Sequence, residues 1–222
     1  MSRTVKGRRA GADNGGGQAR TRLARRAVIE AARTLFVDRG YGATTIEAVS
    51  DRSDVPPATV YRLFSSKLGI LKALLDVSIA GDDRAVPVQD RPEVAALLAE
   101  PDAEKLLAGF ARFNVAINER SGQIYQILAS AACSEPEAAN VLGQYTQQRQ
   151  QGQRQIARAL ARAGALGGDL GERDAADLIH VLMSPEVYRL LVIDRGWSGA
   201  RYEQWLKDAL VQQLLPGTEA SR

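Results

Sequence analysis

The sequence predicts an all-α protein, and three observations carry that reading. Ala, Leu, Arg and Gln, all good helix formers, are abundant in the 222 residues. Apolar residues recur at three- and four-residue spacing over most of the chain. No run of alternating β-branched residues argues for a strand. Apolar content of 45% is enough for a buried core, so the helices are expected to pack rather than stay isolated.

Residues 1–19 carry Gly7, Gly11 and Gly15-Gly16-Gly17 among charges and few apolar groups. They bury too little surface to offset ordering and are expected to form a disordered basic tail. The glycine run has no preceding strand and no following Gly-Lys-Ser/Thr, so it is not a phosphate loop. A helix is expected from Thr21 to Arg39, with Ala24, Ala27, Val28, Ala31, Leu35 and Phe36 on one face and Gly40 ending it. Thr44 or Thr45 caps a second helix that runs to Ser53, and Thr44 with Glu47 has capping-box spacing. Asp54 sits in the following turn, where a left-handed residue is often needed. Val55 is expected to plug the space between that helix and the next. Pro57 suits the first turn of a third helix ending at Phe64. Ser66 starts a fourth, which runs to Ile79.

Residues 81–92 are polar and carry prolines, which marks an internal boundary. Further helices are expected over 93–99, 102–120, 121–133, 136–164, 172–195 and 199–215. The 136–164 segment contains Gln144, Gln147, Gln148, Gln150, Gln151, Gln153 and Gln155. Val141, Tyr145, Gly152, Ile156 and Leu160 keep helical spacing through it, which favours a long amphipathic helix with a wet glutamine face. The expected organisation is a tail over 1–19, a three-helix unit over 20–66, a connecting helix over 67–80, a helical domain over 81–216 and a frayed end over 217–222.

Charge is unevenly spread. Residues 1–26 hold eight basic residues against Asp13 alone, a net +7, within a chain of net +3, which leaves the rest at −4. A basic end on an acidic body suits a polyanionic partner. The single cysteine, Cys133, allows no intramolecular disulfide and fits a reducing cytoplasm, where it is expected to pack as a small apolar residue. No apolar run suggests a signal peptide or a membrane span, so a cytoplasmic protein without membrane contact is expected. Enzymatic chemistry finds no constellation: His180 is the only histidine, no nucleophile motif accompanies it, and one Cys with one His makes no zinc site. No catalytic residue, metal or cofactor is expected.

The stretch from Thr44 to Lys67 reads as two short helices around a tight turn, the layout of a helix-turn-helix. Ala31, Leu35, Phe36, Gly40, Tyr41, Thr44, Thr45, Ile46, Val55, Thr59, Val60, Tyr61, Phe64, Lys67 and Leu71 follow, in order and without gaps, the amino-terminal pattern of the TetR family of bacterial transcription regulators. Residues 22–75 resemble that family. Asp54 stands where the family usually has Gly, Pro56-Pro57 where it has a Ser-Lys type of pair, and Leu63 where a His or Tyr often touches phosphate.

The resemblance implies a DNA-binding regulator, most simply a homodimeric repressor released from a near-palindromic operator by a small-molecule effector. Arg62 would then reach a guanine edge, Thr59 a thymine methyl or a phosphate, and Tyr61 sugar and phosphate. Lys67, Thr44 and Thr45 would contact phosphates at helix starts. Arg20 and Arg22 would extend into the minor groove or along the backbone. By family analogy the last two long helices supply the dimer contact through Leu178, Leu182, Val187, Leu190, Leu191, Leu206 and Leu210. Phe110, Phe113, Asn114, Tyr125, His180 and Met183 would line a ligand pocket. The rival reading is an all-helical ligand-binding or scaffolding protein without specific DNA binding, which the departures at Pro56-Pro57 and Leu63 keep open.

Overall fold

A computed structural model of the chain describes residues 14–82 and 88–217. Every α-helix, 3-10 turn and π turn among them follows the all-α expectation, and no strand occurs among the described residues. The expected tail lies outside the described residues up to residue 13, as does the end from 218. The chain divides into two compact units between Leu74 and Leu75. The division therefore falls inside a helix, upstream of the polar 81–92 segment that the composition marks.

The first unit is built from α1 (Asn14–Ala43), α2 (Ile46–Ser53), α3 (Pro57–Phe64) and the start of α4 (Lys67–Ala80). Helix α1 begins seven residues before the expected Thr21, so residues 14–19 are helical rather than disordered. Gly40 takes φ 77° and ψ 173° and breaks the helical path as expected. Val28, Ala32, Leu35 and Phe36 of α1 are buried with Val49, Val60, Ile70 and Leu71. The Phe36 and Tyr41 rings stack at 5.8 Å.

The second unit contains the end of α4, a 3-10 turn (Val88–Asp90), α5 (Pro92–Leu98), α6 (Ala103–Ala132), α7 (Pro136–Arg162), α8 (Glu172–Leu182), α9 (Pro185–Tyr188), a π turn (Arg189–Ile193) and α10 (Gly199–Leu214). The two helices expected over 102–120 and 121–133 are one. Ser121 does not open a loop, because its hydroxyl donates to the Ile117 carbonyl at 2.8 Å within the helix. Gly122 faces the Tyr188 ring, which would lie at ordinary contact distance, 3.9 Å, from an added Cβ. The single helix expected over 172–195 is instead broken. Pro185 has no N–H to donate and disfavours helical geometry at Ser184, whose hydroxyl accepts from the Val187 N–H at 3.1 Å and starts α9.

Several apolar side chains sit differently from the expectation. Leu206 and Leu210 are fully buried in their own unit's core, with Tyr202 and Leu214, and present no surface for a partner. Leu178, Leu182, Val187 and Leu191 are partly buried against the same core, whereas Leu190 is exposed. Cys133 is exposed rather than packed as an apolar residue, with its thiol 3.5 Å from the Ala129 carbonyl.

Candidate nucleic-acid interface and ligand cavity

Helix α3 is short, with its apolar residues confined to one side. Val60 and Phe64 are buried, Thr59 is half-buried, and Tyr61 and Arg62 face solvent. Tyr61 exposes 49% of its surface, a large share for an aromatic residue with an apolar core beside it. Pro56 and Pro57 start the helix without a side-chain cap, and the Thr59 N–H donates to the Pro56 carbonyl at 2.8 Å.

The α2–α3 turn is held by buried polar bonds. Asp54 adopts φ 53°, ψ 33°, the left-handed conformation expected of it. Val55 is buried, its N–H donates to the Ser50 carbonyl, and the Ser50 hydroxyl donates back to the Val55 carbonyl at 2.7 Å. This closed pair fixes the direction in which α3 leaves α2.

Thr44 does not fit the role given to it from sequence. It is buried, and its hydroxyl lies 2.8 Å from the Gly40 carbonyl and 3.2 Å from that of Leu35. It ties the α1 kink to the start of α2 and offers no group to DNA. Thr45 is the N-cap, accepting from the Ala48 N–H at 3.1 Å, and it is exposed. Thr44 and Glu47 therefore form no capping box.

Lys67 is also drawn inward. Its ammonium donates to the Tyr41 carbonyl at 2.8 Å and lies 4.1 Å from the centre of the Tyr41 ring. Arg20 and Arg22 are exposed on α1, so they belong to a helix rather than an extended arm. Sequence reasoning missed Arg25, whose guanidinium stands over the Phe64 ring at 5.0 Å. The spacing to α3 gave no signal for it.

The second unit contains a cavity of about 200 Å³, open to solvent on one side. Phe110, Phe113, Asn114, Tyr125 and Met183 line it, with Phe110 and Phe113 edge to face at 6.4 Å. His180 is not in the lining. It stands behind the wall, its Nδ1 2.7 Å from the Gln153 side-chain oxygen and its Nε2 3.3 Å from Arg149 Nη2. An amide oxygen only accepts, so Nδ1 carries the proton and Nε2 accepts from the guanidinium. Burial, and then the positive Arg149, hold the imidazole below its ordinary pKa.

The lining includes polar residues that sequence reasoning did not choose. Asn118, Ser121, Arg149 and Gln153 face the cavity. Asn114 donates to the Met183 carbonyl at 2.9 Å, and Asn118 donates to the Asn114 side chain at 3.0 Å. The Tyr145 hydroxyl donates to Asp76 at 2.5 Å, and Tyr125 to Glu186 at 3.3 Å. Burial, with the Asp76 carboxylate beside it, raises the Tyr145 phenol well above the usual range. The signal was present: Tyr145, Arg149 and Gln153 lie at successive steps of four on α7, and Asn114, Asn118, Ser121 and Tyr125 form a similar stripe on α6.

No helix among the described residues is long and apolar enough to cross a membrane. Among the same residues no group of three His, Cys, Asp or Glu side chains is placed to hold a metal ion.

Comparison with known proteins agrees with this geometry. Residues 28–74 match the model of the bacterial regulatory proteins of the tetR family. The HTH-type transcriptional regulator YvkB of Bacillus subtilis is 40% identical over 48 residues, which span 22% of this chain and 25% of that protein. YdeS of the same organism, also an HTH-type transcriptional regulator, is 25% identical over 177 residues, 79% of this chain and 82% of that one. The chain thus spans about a quarter of the first relative's length in the matched region and most of the second's. Among solved structures, a TetR-family transcriptional regulator from Mesorhizobium loti superposes with a TM-score of 0.66 at 18% identity, covering 88% of this chain and 98% of that one. SmeT, the repressor of the Stenotrophomonas maltophilia multidrug efflux pump SmeDEF, gives 0.65 at 14% identity, covering 87% and 91%. At such identities these structures speak for the fold. The chain accordingly has a TetR-like fold, and its amino-terminal helix-turn-helix matches the model of the tetR family of bacterial regulatory proteins over residues 28–74.

Proposed function

We propose that the chain is a sequence-specific DNA-binding transcriptional regulator, acting as a homodimeric repressor that a small-molecule effector releases from a near-palindromic operator. The observation that carries this is α3, a helix with Tyr61 and Arg62 exposed, held by a turn whose buried polar groups are satisfied. Arg62 is assigned to a guanine edge, Thr59 to a thymine methyl or phosphate, and Tyr61 to sugar and phosphate. Thr45 and the amide end of α2 are assigned to a phosphate. Thr44 has no part in this assignment.

One α3 reads a few base pairs, so two copies about 34–36 Å apart would read two half-sites. The dimer surface is assigned to Val181, Leu190 and Ile193, which expose 59%, 49% and 66% of their surface, with Leu178, Leu182, Val187 and Leu191 at its margin. SmeT, described as a repressor, supports the sign of regulation by likeness of fold. The cavity supports an effector: a ligand preferring a conformation with the wrong half-site spacing lowers operator affinity. A DNA-binding regulator of this kind works in the cytoplasm.

Selection of bound genomic fragments by the purified protein at near-physiological salt tests the reading. Enrichment of a near-palindrome is expected. Recovery of non-specific DNA alone by folded protein would overturn it in favour of a ligand-binding protein without an operator.

A further inference from the structure

We propose that the cavity of the second unit takes a small aromatic carboxylate, with the carboxylate on Arg149 and the ring against Phe110, Phe113 and Met183. The inference rests on the effector reading above and names the chemistry of that effector.

The first argument is size. A cavity of about 200 Å³ is somewhat larger than the roughly 150 Å³ engineered cavity that holds benzene. One six-membered ring with one small polar substituent fills it.

The second argument is the wall. Phe110 and Phe113 meet edge to face, and Met183 is almost wholly buried. Val94 and Ile156 add aliphatic surface. Ring faces and edges, with a polarisable thioether, suit a flat apolar body.

The third argument is Arg149. Its Nη1 is buried and, among the described residues, is a side-chain nitrogen left without a hydrogen bond. The nearest carboxylate oxygen, Glu186 Oε2, is 3.7 Å away, too far to accept a hydrogen bond. On the other side Nη2 is engaged by His180 Nε2. That imidazole must be neutral to accept, so the positive charge at the cavity is the guanidinium's, offset in part by the Glu186 carboxylate at 3.7 Å. A buried guanidinium N–H without an acceptor is costly, and a ligand oxygen at about 2.8 Å relieves it.

Arg149 itself repels an ammonium, and His180, bonded in turn to Gln153, holds its Nη2. Glu186 is about half exposed and already accepts from Tyr125, so solvent screens its repulsion of an anion. One free guanidinium edge suits a monoanion; a phosphate dianion would need more donors.

Calorimetric titration of the full chain with benzoate, benzamide and benzylamine tests this. Benzoate is expected to bind at least about tenfold more tightly than benzamide, and benzylamine most weakly. R149Q should abolish the difference between benzoate and benzamide, and R149K should keep part of it. Benzamide binding as well as benzoate, or no binding of any of the three at millimolar concentration, overturns the proposal. Because the three ligands are compared on the unaltered protein, a folding defect in a variant does not decide the matter. Operator affinity is measured on the same sample. An intact operator complex with no benzoate preference sinks this inference alone. Benzoate preference without operator affinity sinks the regulator reading and leaves the site standing.

Discussion

Lys67→Met separates two roles for one side chain. The substitution keeps the aliphatic stem and removes the ammonium, which donates to the Tyr41 carbonyl at 2.8 Å and lies 4.1 Å from the Tyr41 ring centre. A hydrogen bond from a charged donor contributes about 1.5–3 kcal/mol when buried. A cation over an aromatic ring adds about 0.5–1 kcal/mol at a partly exposed site. Lys67 is half-buried, so water returns some of both, and a net loss of about 2 kcal/mol is expected. That corresponds to roughly thirtyfold faster opening of the first unit. The second unit carries both tryptophans, so their fluorescence does not report on the first; amide hydrogen exchange of peptides within 28–74 does. A lysine that served only phosphate would behave differently: exchange would stay unchanged, and the salt slope of operator binding would fall by about one. That pair of results would refute the staple.

Four further outcomes follow from named contacts. Asp54→Gly should stabilise the first unit by about 1 kcal/mol, because Asp54 holds a left-handed backbone, and urea unfolding followed by hydrogen exchange reads it. Gly69→Ala should destabilise the same unit by about 3 kcal/mol, since an added Cβ collides with the Phe64 carbonyl; a unit as stable as the parent would contradict the packing. Tyr61→Ala should abolish specific operator binding while circular dichroism stays the same, because nearly half of Tyr61 is exposed on α3. For His180 the folded pKa is depressed, so the unfolded chain takes up the proton first as pH falls. Stability is therefore full above the ordinary histidine pKa of about 6.5 and is lost below it, until the folded imidazole also protonates. Asparagine at that position should flatten this part of the pH–stability curve, and an unchanged curve would remove His180 as its source.

The amino-terminal unit was legible because its signals are local. Helical spacing in Val28, Leu35 and Phe36, a glycine stop at Gly40 and a proline start at Pro57 each act over one or two turns, and each is seen in the structure. Errors arose where a short-range signal was overridden by packing at a distance. The boundary expected between 120 and 121 is absent, and the Ser121 hydroxyl bonds back to Ile117 within one continuous helix. Leu206 and Leu210 read as apolar surface; whether such a face meets its own core or a partner depends on contacts that spacing does not contain. Thr44 and Thr45 were interchangeable in sequence. The α1 kink decides between them, turning Thr44 inward and leaving Thr45 to cap α2.

The buried polar groups of the two units explain how one part of the chain can be rigid and another responsive. In the first unit Thr44 and Ser50 both have partners within their own backbone, Gly40 and Val55 among them. A network that is fully satisfied favours one low-energy arrangement, which the role proposed for α3 at base edges requires. In the second unit Arg149 is bonded to His180 on one side and left with an open N–H on the other. On the proposed effector reading, a group that supplies the missing acceptor selects the arrangement that offers it. The differential affinity that drives such a selection must come from contacts made in one state and not the other. The open Arg149 N–H, beside an apolar cavity of ring size, is where such a contact is missing.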